Sequence, residues 1–433
     1  MTRHVIVGTG AAGIAAAGAI RTADPTAEIL LLGDDPDGFY SRPGLAYYLT
    51  GEVPEKQLYP FSQKDWKELS IRHVPGRAIR LDPAAHQLET DPGGPLTYDR
   101  LLLATGAQAV RLDVPGSDLQ GVVKIDGFQD ARQIVAAARR AKEAVVVGGG
   151  ITALELAEGL AARKVRVHYF LRADRFWASI LDEVESRLVE ARLREEGVQL
   201  HYRTELAEIL GRRGKVAGVR TGSGETVPCG VLAFAIGIRP RLELAREAGL
   251  KVDRGILVDE FLRTSGPHIF AAGDAAQVRD PLSGQFVLDS LWGPAREQGT
   301  VAGMNMAGRE QAYSKPVAFN VTRLAGLTTT IIGAVGGGRD DDLVSIARGD
   351  SETWRSLPNA ISAQASESVS HLRLLVGERT LLGALLMGEQ KLSRPLQELI
   401  TSQVDISPVR SQLLQAEAPL GEIIMDFWSG LIR

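Results

Sequence analysis

A glycine-rich turn set between an apolar strand and an alanine-rich helix occurs twice in this chain, and no other feature constrains its fold as strongly. The first copy is Gly8-Thr9-Gly10-Ala11-Ala12-Gly13, with apolar residues 4–7 before it, the alanine-rich stretch 11–22 after it and a second apolar run at 28–32. The second is Gly148-Gly149-Gly150-Ile151-Thr152-Ala153, with residues 144–147 before it, 151–163 after it and 165–170 as the next apolar run. Each reads as one βαβ unit, because the first glycine permits the tight turn and the next lets backbone N–H groups approach a diphosphate. The third lets helix and strand pack closely, and the helix N-terminus favours an anion through its unpaired N–H groups and its dipole. The expected fold class is therefore α/β, with two Rossmann-like dinucleotide-binding domains and a smaller C-terminal mixed α/β domain.

Length and composition narrow the function. At 433 residues the chain suits two to four domains at roughly 100–200 residues each. A formal net charge of -4 gives no basic field for nucleic acid or anionic lipid, so no nucleic-acid partner is expected. The single cysteine, Cys229, cannot alone build a disulfide, a cysteine-rich zinc site or an iron–sulfur cluster. No metal is expected, and redox chemistry must come from a bound cofactor. Residues 5–20 are apolar or small enough to suggest a secretory leader, but the glycines at 8, 10 and 13 favour the nucleotide turn. No later stretch reaches the roughly 18 apolar residues of a membrane span, and the chain reads as cytoplasmic.

Three further apolar strands run into glycine turns: residues 101–104 before Thr105-Gly106, 232–235 before Ile236-Gly237, and 268–272 before Gly273-Asp274. Such exits suit chain crossings between domains, and residues 294–307 look helical. The first domain is thus expected to be discontinuous, 1–112 with 236–313, and interrupted by the second at 113–235. From 314 to 433 the texture changes. Strands are expected at 328–332, 372–376 and 381–387, a polar segment at 336–342 and a helix at 395–403.

After the first unit Asp34, or its neighbour Asp35, is spaced to receive ribose hydroxyls. In the second unit Ala153 replaces the third glycine, which the motif tolerates, and Leu171 stands where a ribose-binding carboxylate is common. Arg172 and Arg175 then become candidates for gripping a 2′-phosphate by charge-assisted bonds, which leans the reading toward NADPH; alternatively both are solvated surface charges.

These motifs look like those of the flavoproteins of the pyridine nucleotide-disulfide oxidoreductase type. Within that group, residues 40–45 (Tyr-Ser-Arg-Pro-Gly-Leu) and 291–299 (Leu-Trp-Gly-Pro-Ala-Arg-Glu-Gln-Gly) resemble rubredoxin reductases, ferredoxin reductases of aromatic dioxygenases and the flavin part of nitrite reductase. The likeness covers roughly residues 3–310, and loosely the rest. It implies that Leu103-Ala104-Thr105-Gly106 is the domain crossing and that Gly273-Asp274 is the second FAD motif, with Asp274 on a ribityl hydroxyl. It places Arg42, with Pro43, by the FAD phosphates, and makes Pro294 and Ala295 open a helix facing the flavin C2 carbonyl. Ala78 and Ile236-Gly237 complete the cofactor-binding set. Asp274 could equally be a helix N-cap.

Two departures matter. The redox cysteines of the disulfide reductases would lie within residues 40–51, where this chain has none. Glu155 matches a glutamate that pairs with a lysine near the flavin, but Tyr47 stands in the lysine's place; Glu155 could instead lie on the outer face of its helix. Trp292 matches an aromatic residue near the flavin and could also simply fill core volume. Glu155 and Trp292 are the residues expected nearest the chemistry. The resemblance implies FAD, NADH or NADPH as donor, and a small redox protein such as rubredoxin, ferredoxin or another iron–sulfur protein as acceptor. An NAD(P)H-responsive sensor and an NAD(P)H oxidase are the alternatives, and self-association as a homodimer is left open.

Overall fold

The computed structural model describes residues 1–336, 346–356, 359–367 and 370–432. The first sheet has five parallel strands in the order Ile269–Ala271, Arg100–Leu103, Arg3–Val7, Glu28–Gly33 and Arg72–Pro75. Its central strands are apolar throughout, as strands covered on both faces must be, and Val5, Ile6, Leu31 and Leu102 are fully buried. The second sheet repeats the plan with Val122–Lys124, Val231–Phe234, Glu143–Val147, Arg166–Leu171 and Gln199–Tyr202. The edge strands differ in origin. Ile269–Ala271 comes from far downstream of its glycine turn, whereas Val122–Lys124 comes from just upstream of its own.

The chain crossings expected from sequence lie at strand ends. Arg100–Leu103 and Val231–Phe234 are the central neighbours of Arg3–Val7 and Glu143–Val147. Just after them, Ala107–Ala109 and Ile238–Pro240 pair as a two-stranded ribbon. Arg77–Asp82, Gln87–Asp91 and Gly94–Thr97 form a small antiparallel sheet, and Leu206–Arg212, Lys215–Thr221 and Thr226–Pro228 form another. Neither sheet was legible in the sequence.

The helix Ala11–Ala23 packs along Trp292–Met306, with no room at the contact for side chains. A Cβ at Gly299 would fall 2.1 Å from the Ala12 carbonyl oxygen, and one at Gly303 would fall 2.4 Å from that of Ala16. Both helices start at the same cavity. The helix begins at Trp292, two residues earlier than Pro294, where the sequence placed it. Proline is tolerated there because the first turn's N–H groups have no intrahelical partner.

The C-terminal region is a five-stranded antiparallel sheet in the order Phe319–Leu324, Leu327–Gly333, Leu381–Met387, Ser370–Val376 and Ile361–Glu367. The helices Ser393–Thr401, Ser407–Leu413 and Leu420–Ile432 follow it. Of the polar segment expected at 336–342, residues 337–342 lie outside the described residues. The C-terminal region is docked by a buried ion pair: both Glu185 oxygens accept from Arg373, at 2.8 and 3.0 Å, and Arg373 Nη2 also donates to the Ile180 carbonyl. Among the described residues no helix is long and apolar enough to cross a membrane.

Candidate functional site

The two glycine turns are built alike. Gly8 and Gly148 have φ of 120° and 145°, which side chains rarely adopt. Each lies under the carbonyl of its crossing strand: a Cβ at Gly8 would sit 2.0 Å from the Ala104 oxygen, and one at Gly148 would sit 2.2 Å from that of Ala235. A Cβ at Gly13 would fall 2.0 Å from the Gly8 oxygen, so no side chain fits. Ala153 holds that place in the second turn, with its Cβ 2.8 Å from where one on Gly148 would be. Around Gly10, by contrast, nothing lies within 4 Å of a Cβ, which leaves the space before the helix N-terminus open.

That space belongs to a cavity of about 390 Å³ between the two sheets and the C-terminal region. Gly8, Gly10, Ala11, Ala12, Asp34, Asp35, Arg42, Pro43, Ala104, Thr105, Gly106, Ile151, Thr152, Glu155, Gly273, Asp274, Trp292 and Ala295 all line it. Of the other sequence candidates, Gly13, Gly148, Gly150 and Ala153 shape the turns without lining the cavity, and Ala78, Arg172, Arg175, Ile236, Gly237 and Pro294 do not line it either. Asp34 is half exposed and bonded by Arg77 at 2.9 and 3.0 Å. Asp35 accepts a long bond, 3.4 Å, from the Tyr40 hydroxyl.

The strand registers set the two units side by side at the second ribose position. Val7 pairs with Leu32 and Val147 with Phe170, so the counterpart of Asp34 is Arg172. Leu171 corresponds to Gly33 and is a core residue, 1% exposed. Arg175 is engaged locally, pairing with Asp174 at 3.1 Å and donating to the Ala178 carbonyl.

Asp274 is the most informative carboxyl in the cavity. It is half-buried at the cavity wall, and its one side-chain hydrogen bond among the described residues is a 3.5 Å bond from Ser290 Oγ. Burial raises its pKa, against the opposing charges of Arg348 and Arg42. A carboxyl that faces a cavity with free acceptor capacity suits a hydroxyl-bearing ligand, which can donate to it. Together with the open helix N-terminus at Gly10, this fits the polyol and diphosphate of FAD.

Glu155 faces the cavity rather than the outer side of its helix. Burial, reinforced by Glu158 and opposed by Arg348, pushes its carboxyl up to about 8. Burial and Glu196 push Glu158 to about 7. Beside Tyr47, the Arg323 guanidinium lies 5.0 Å from the ring centre and grips Glu52 at 2.6 Å. Trp292 stacks on Phe39, with ring centres 5.9 Å apart. Cys229 is buried in a separate core cluster with Val145 and Leu232, and burial raises its thiol to about 12.

Sequence reasoning missed Arg348, Arg241, Asp126, Glu158 and the strand Phe319–Leu324, several residues of which line the cavity. Asp126 sits behind the wall with Arg348 (2.7 Å), Lys124 (3.5 Å), Arg241 (3.8 Å) and Arg42 (3.9 Å) around it. No local motif marks these residues, because chain crossings bring them together.

Two dinucleotide turns opening toward one cavity, without a cysteine beside it, define an oxidoreductase that works through bound cofactors. Residues 2–299 match the pyridine nucleotide-disulphide oxidoreductase family, and the chain belongs to it. It is 33% identical to the ferredoxin–NAD(+) reductase component of the biphenyl dioxygenase system of Paraburkholderia xenovorans, over 86% of this chain and 87% of that one. It is also 33% identical to the rubredoxin-NAD(+) reductase of Pseudomonas putida, over 79% and 89%. The fold matches the reductase in the putidaredoxin reductase–putidaredoxin complex with a TM-score of 0.85, at 24% identity and 98% coverage of both chains. The protein is an FAD-dependent oxidoreductase that uses a nicotinamide dinucleotide.

Proposed function

We propose that the protein passes reducing equivalents from NADH or NADPH to FAD and on to a small one-electron carrier such as rubredoxin, ferredoxin or another iron–sulfur protein. The observation that carries this reading is the convergence of both glycine turns on a cavity whose wall holds Asp274 and no cysteine. The two relatives named for ferredoxin and rubredoxin support the class of acceptor. The proposed division is 1–112 with 236–313 for FAD, 113–235 for the nicotinamide dinucleotide and 314–433 as the C-terminal domain, in a cytoplasmic protein.

Bound FAD would supply a two-electron acceptor that can release electrons singly. The chain's part is to bind, orient and exclude. Gly8, Gly10, Ala11, Ala12 and Gly13 present the helix N-terminus to the diphosphate with Arg42 and Pro43 alongside, and Asp274 accepts from the polyol. Asp34, Asp35 and Ala78 receive the adenosine end. Ala104, Thr105, Gly106, Ile236 and Gly237 carry the chain between domains beside it. The N-terminus of Trp292–Met306, through Pro294 and Ala295, offers a positive dipole end to the flavin's pyrimidine edge, where negative charge gathers on reduction. Gly148, Gly150, Ile151, Thr152 and Ala153 hold the second dinucleotide, with Arg172 and Arg175 near its adenosine ribose. Trp292 would flank a flavin held here, and Glu155, its carboxyl raised by burial, would be able to hold a proton beside it.

The test is reduction of purified rubredoxins and ferredoxins by the protein with NADH or NADPH, against oxygen alone. At least one carrier should be reduced much faster than oxygen is consumed, and Cys229→Ser should keep the wild-type rate. Oxygen consumption matching every carrier rate would make the protein an oxidase. Loss of activity in Cys229→Ser with flavin content intact would give that thiol a redox role.

A further inference from the structure

Residues 346–349 leave the C-terminal region and pass between the two dinucleotide turns. The segment is pinned at both ends: Ile238 N–H donates to the Ile346 carbonyl at 3.0 Å, and Gly349 N–H donates to the Ser290 carbonyl at 3.0 Å. Ile346 is buried with Ala107, Ile238 and Leu288. Ala347 comes close to the second turn, its Cβ 3.5 Å from where one on Gly150 would be. These anchors aim Arg348 into the cavity that Gly10 and Asp274 line.

The guanidinium of Arg348 is under-partnered there. Its Nη2 donates to Asp126 at 2.7 Å, while its Nε is buried with no hydrogen-bond partner. Asp126 must also serve Arg42, Arg241 and Lys124, the last of which it shares with Asp130 at 3.2 Å. One carboxylate cannot neutralise three guanidiniums, and it stands behind the wall that Arg42, Arg241 and Arg348 line. The excess positive charge therefore faces the cavity. Half-buried cations clustered this way gain from an anion in the cavity, and planar guanidinium donors match phosphate oxygens.

We infer that Arg348, supplied by the C-terminal region, binds the diphosphate of FAD together with Arg42 and the helix N-terminus at Gly10. This inference rests on FAD occupying the first turn. It makes the C-terminal region part of the flavin site, so that flavin retention depends on its docking. The diphosphate of the nicotinamide dinucleotide has the same chemistry, but Arg348 acts on Asp274 and Arg42, which belong to the flavin side.

Arg348→Gln, Arg348→Lys and wild type are compared for FAD release on dilution of the holoprotein, followed by flavin fluorescence. Arg348→Gln should hold FAD about 10- to 100-fold more weakly, and Arg348→Lys should fall between, keeping the charge but not the fork. Binding of ADP-ribose to the holoprotein, as a probe of the second turn, should stay within about twofold. Melting of flavin-stripped Arg348→Gln should stay close to that of flavin-stripped wild type, because loss of the Asp126 ion pair is offset by relief of repulsion from Arg42 and Arg241. Unchanged FAD release overturns the inference. So does weakened ADP-ribose binding with FAD release unchanged, or a lowered melting temperature of the stripped variant that accounts for the weaker FAD binding. Wild-type protein that retains no FAD would instead defeat the functional reading itself.

Discussion

The two glycine turns share a backbone and differ in what surrounds them. In both, a positive-φ glycine lies under the carbonyl of a crossing strand, Ala104 for Gly8 and Ala235 for Gly148. The first turn is closed by Gly13 and followed by two acids; the second is closed by Ala153 and followed by Arg172. The first opens on a deep cavity with Asp274 opposite, whereas the second contributes only Ile151, Thr152, Glu155 and Glu158 to that cavity. The same fold unit thus borders the cavity along its whole turn in the first copy and only through the start of its helix in the second.

The largest effect separating the turns should come from placing a carboxylate in each. Gly10→Glu fits sterically, since nothing lies within 4 Å of a Cβ there, but it sets a negative charge against the diphosphate. It should purify folded and colourless. Gly150→Glu should stay yellow and lose reduction by NAD(P)H. Absorbance of the two purified variants checks the comparison, and a yellow Gly10→Glu breaks it.

Next in size is the third position of each turn. Gly13→Ala drives a Cβ into the Gly8 carbonyl, a backbone contact that cannot give way cheaply, so it should cost about 1–3 kcal/mol or more and reduce flavin content. Ala153→Gly should cost only about 1 kcal/mol, from helix propensity. Thermal melting of both variants distinguishes them, and equal losses would mean that the two turns do not pack as described.

The sequence made the two turns legible because each is local: six residues with flanking apolar runs specify strand, turn and helix together. Asp34 was legible from its spacing after the first turn, and Arg42, Asp274 and Trp292 through a resemblance carried by short motifs. Arg348, Asp126 and Arg323 were not, because each reaches the cavity over a long stretch of chain and carries no pattern of its own. Leu171 closes its strand, Arg166–Leu171, and is buried there, so the residues after it must meet any ribose. The small antiparallel sheets were missed because strands such as Arg77–Asp82 are mostly exposed and show little apolar alternation.

Glu155 gives the comparison a pH signature on the side of the second turn. Its carboxyl titrates near 8 in the folded protein against an ordinary value of 4.5. The folded state therefore holds a proton that the unfolded chain releases, and stability is full below about 4.5 and falls as pH rises toward 8. Glu155→Gln should melt higher than wild type at alkaline pH and remove this part of the slope. Melting curves from pH 5 to about 9 test it, and parallel slopes for the two proteins would show that Glu155 is already ionised at neutral pH.

The smallest effect concerns coenzyme choice. Arg172 and Arg175 follow a strand that ends in Leu171 rather than an acid, so Arg172→Ala/Arg175→Ala should raise the KM for NADPH more than that for NADH, by roughly tenfold for each 1.4 kcal/mol lost. Screening of exposed charge keeps the effect modest. Steady-state kinetics with both donors decides it, and equal losses would make these arginines surface charges.

The central claim is that one chain holds FAD at the first turn, takes its electrons from a nicotinamide dinucleotide at the second, and needs no thiol to do so. Anaerobic stopped-flow mixing of wild type and Cys229→Ser with NADH and with NADPH tests it most directly. Rapid bleaching of one flavin per chain is expected in both proteins, followed by recovery of the oxidised spectrum when a rubredoxin or ferredoxin is added. A flavin that stays oxidised with both donors, or one reduced in wild type but not in Cys229→Ser, would contradict it.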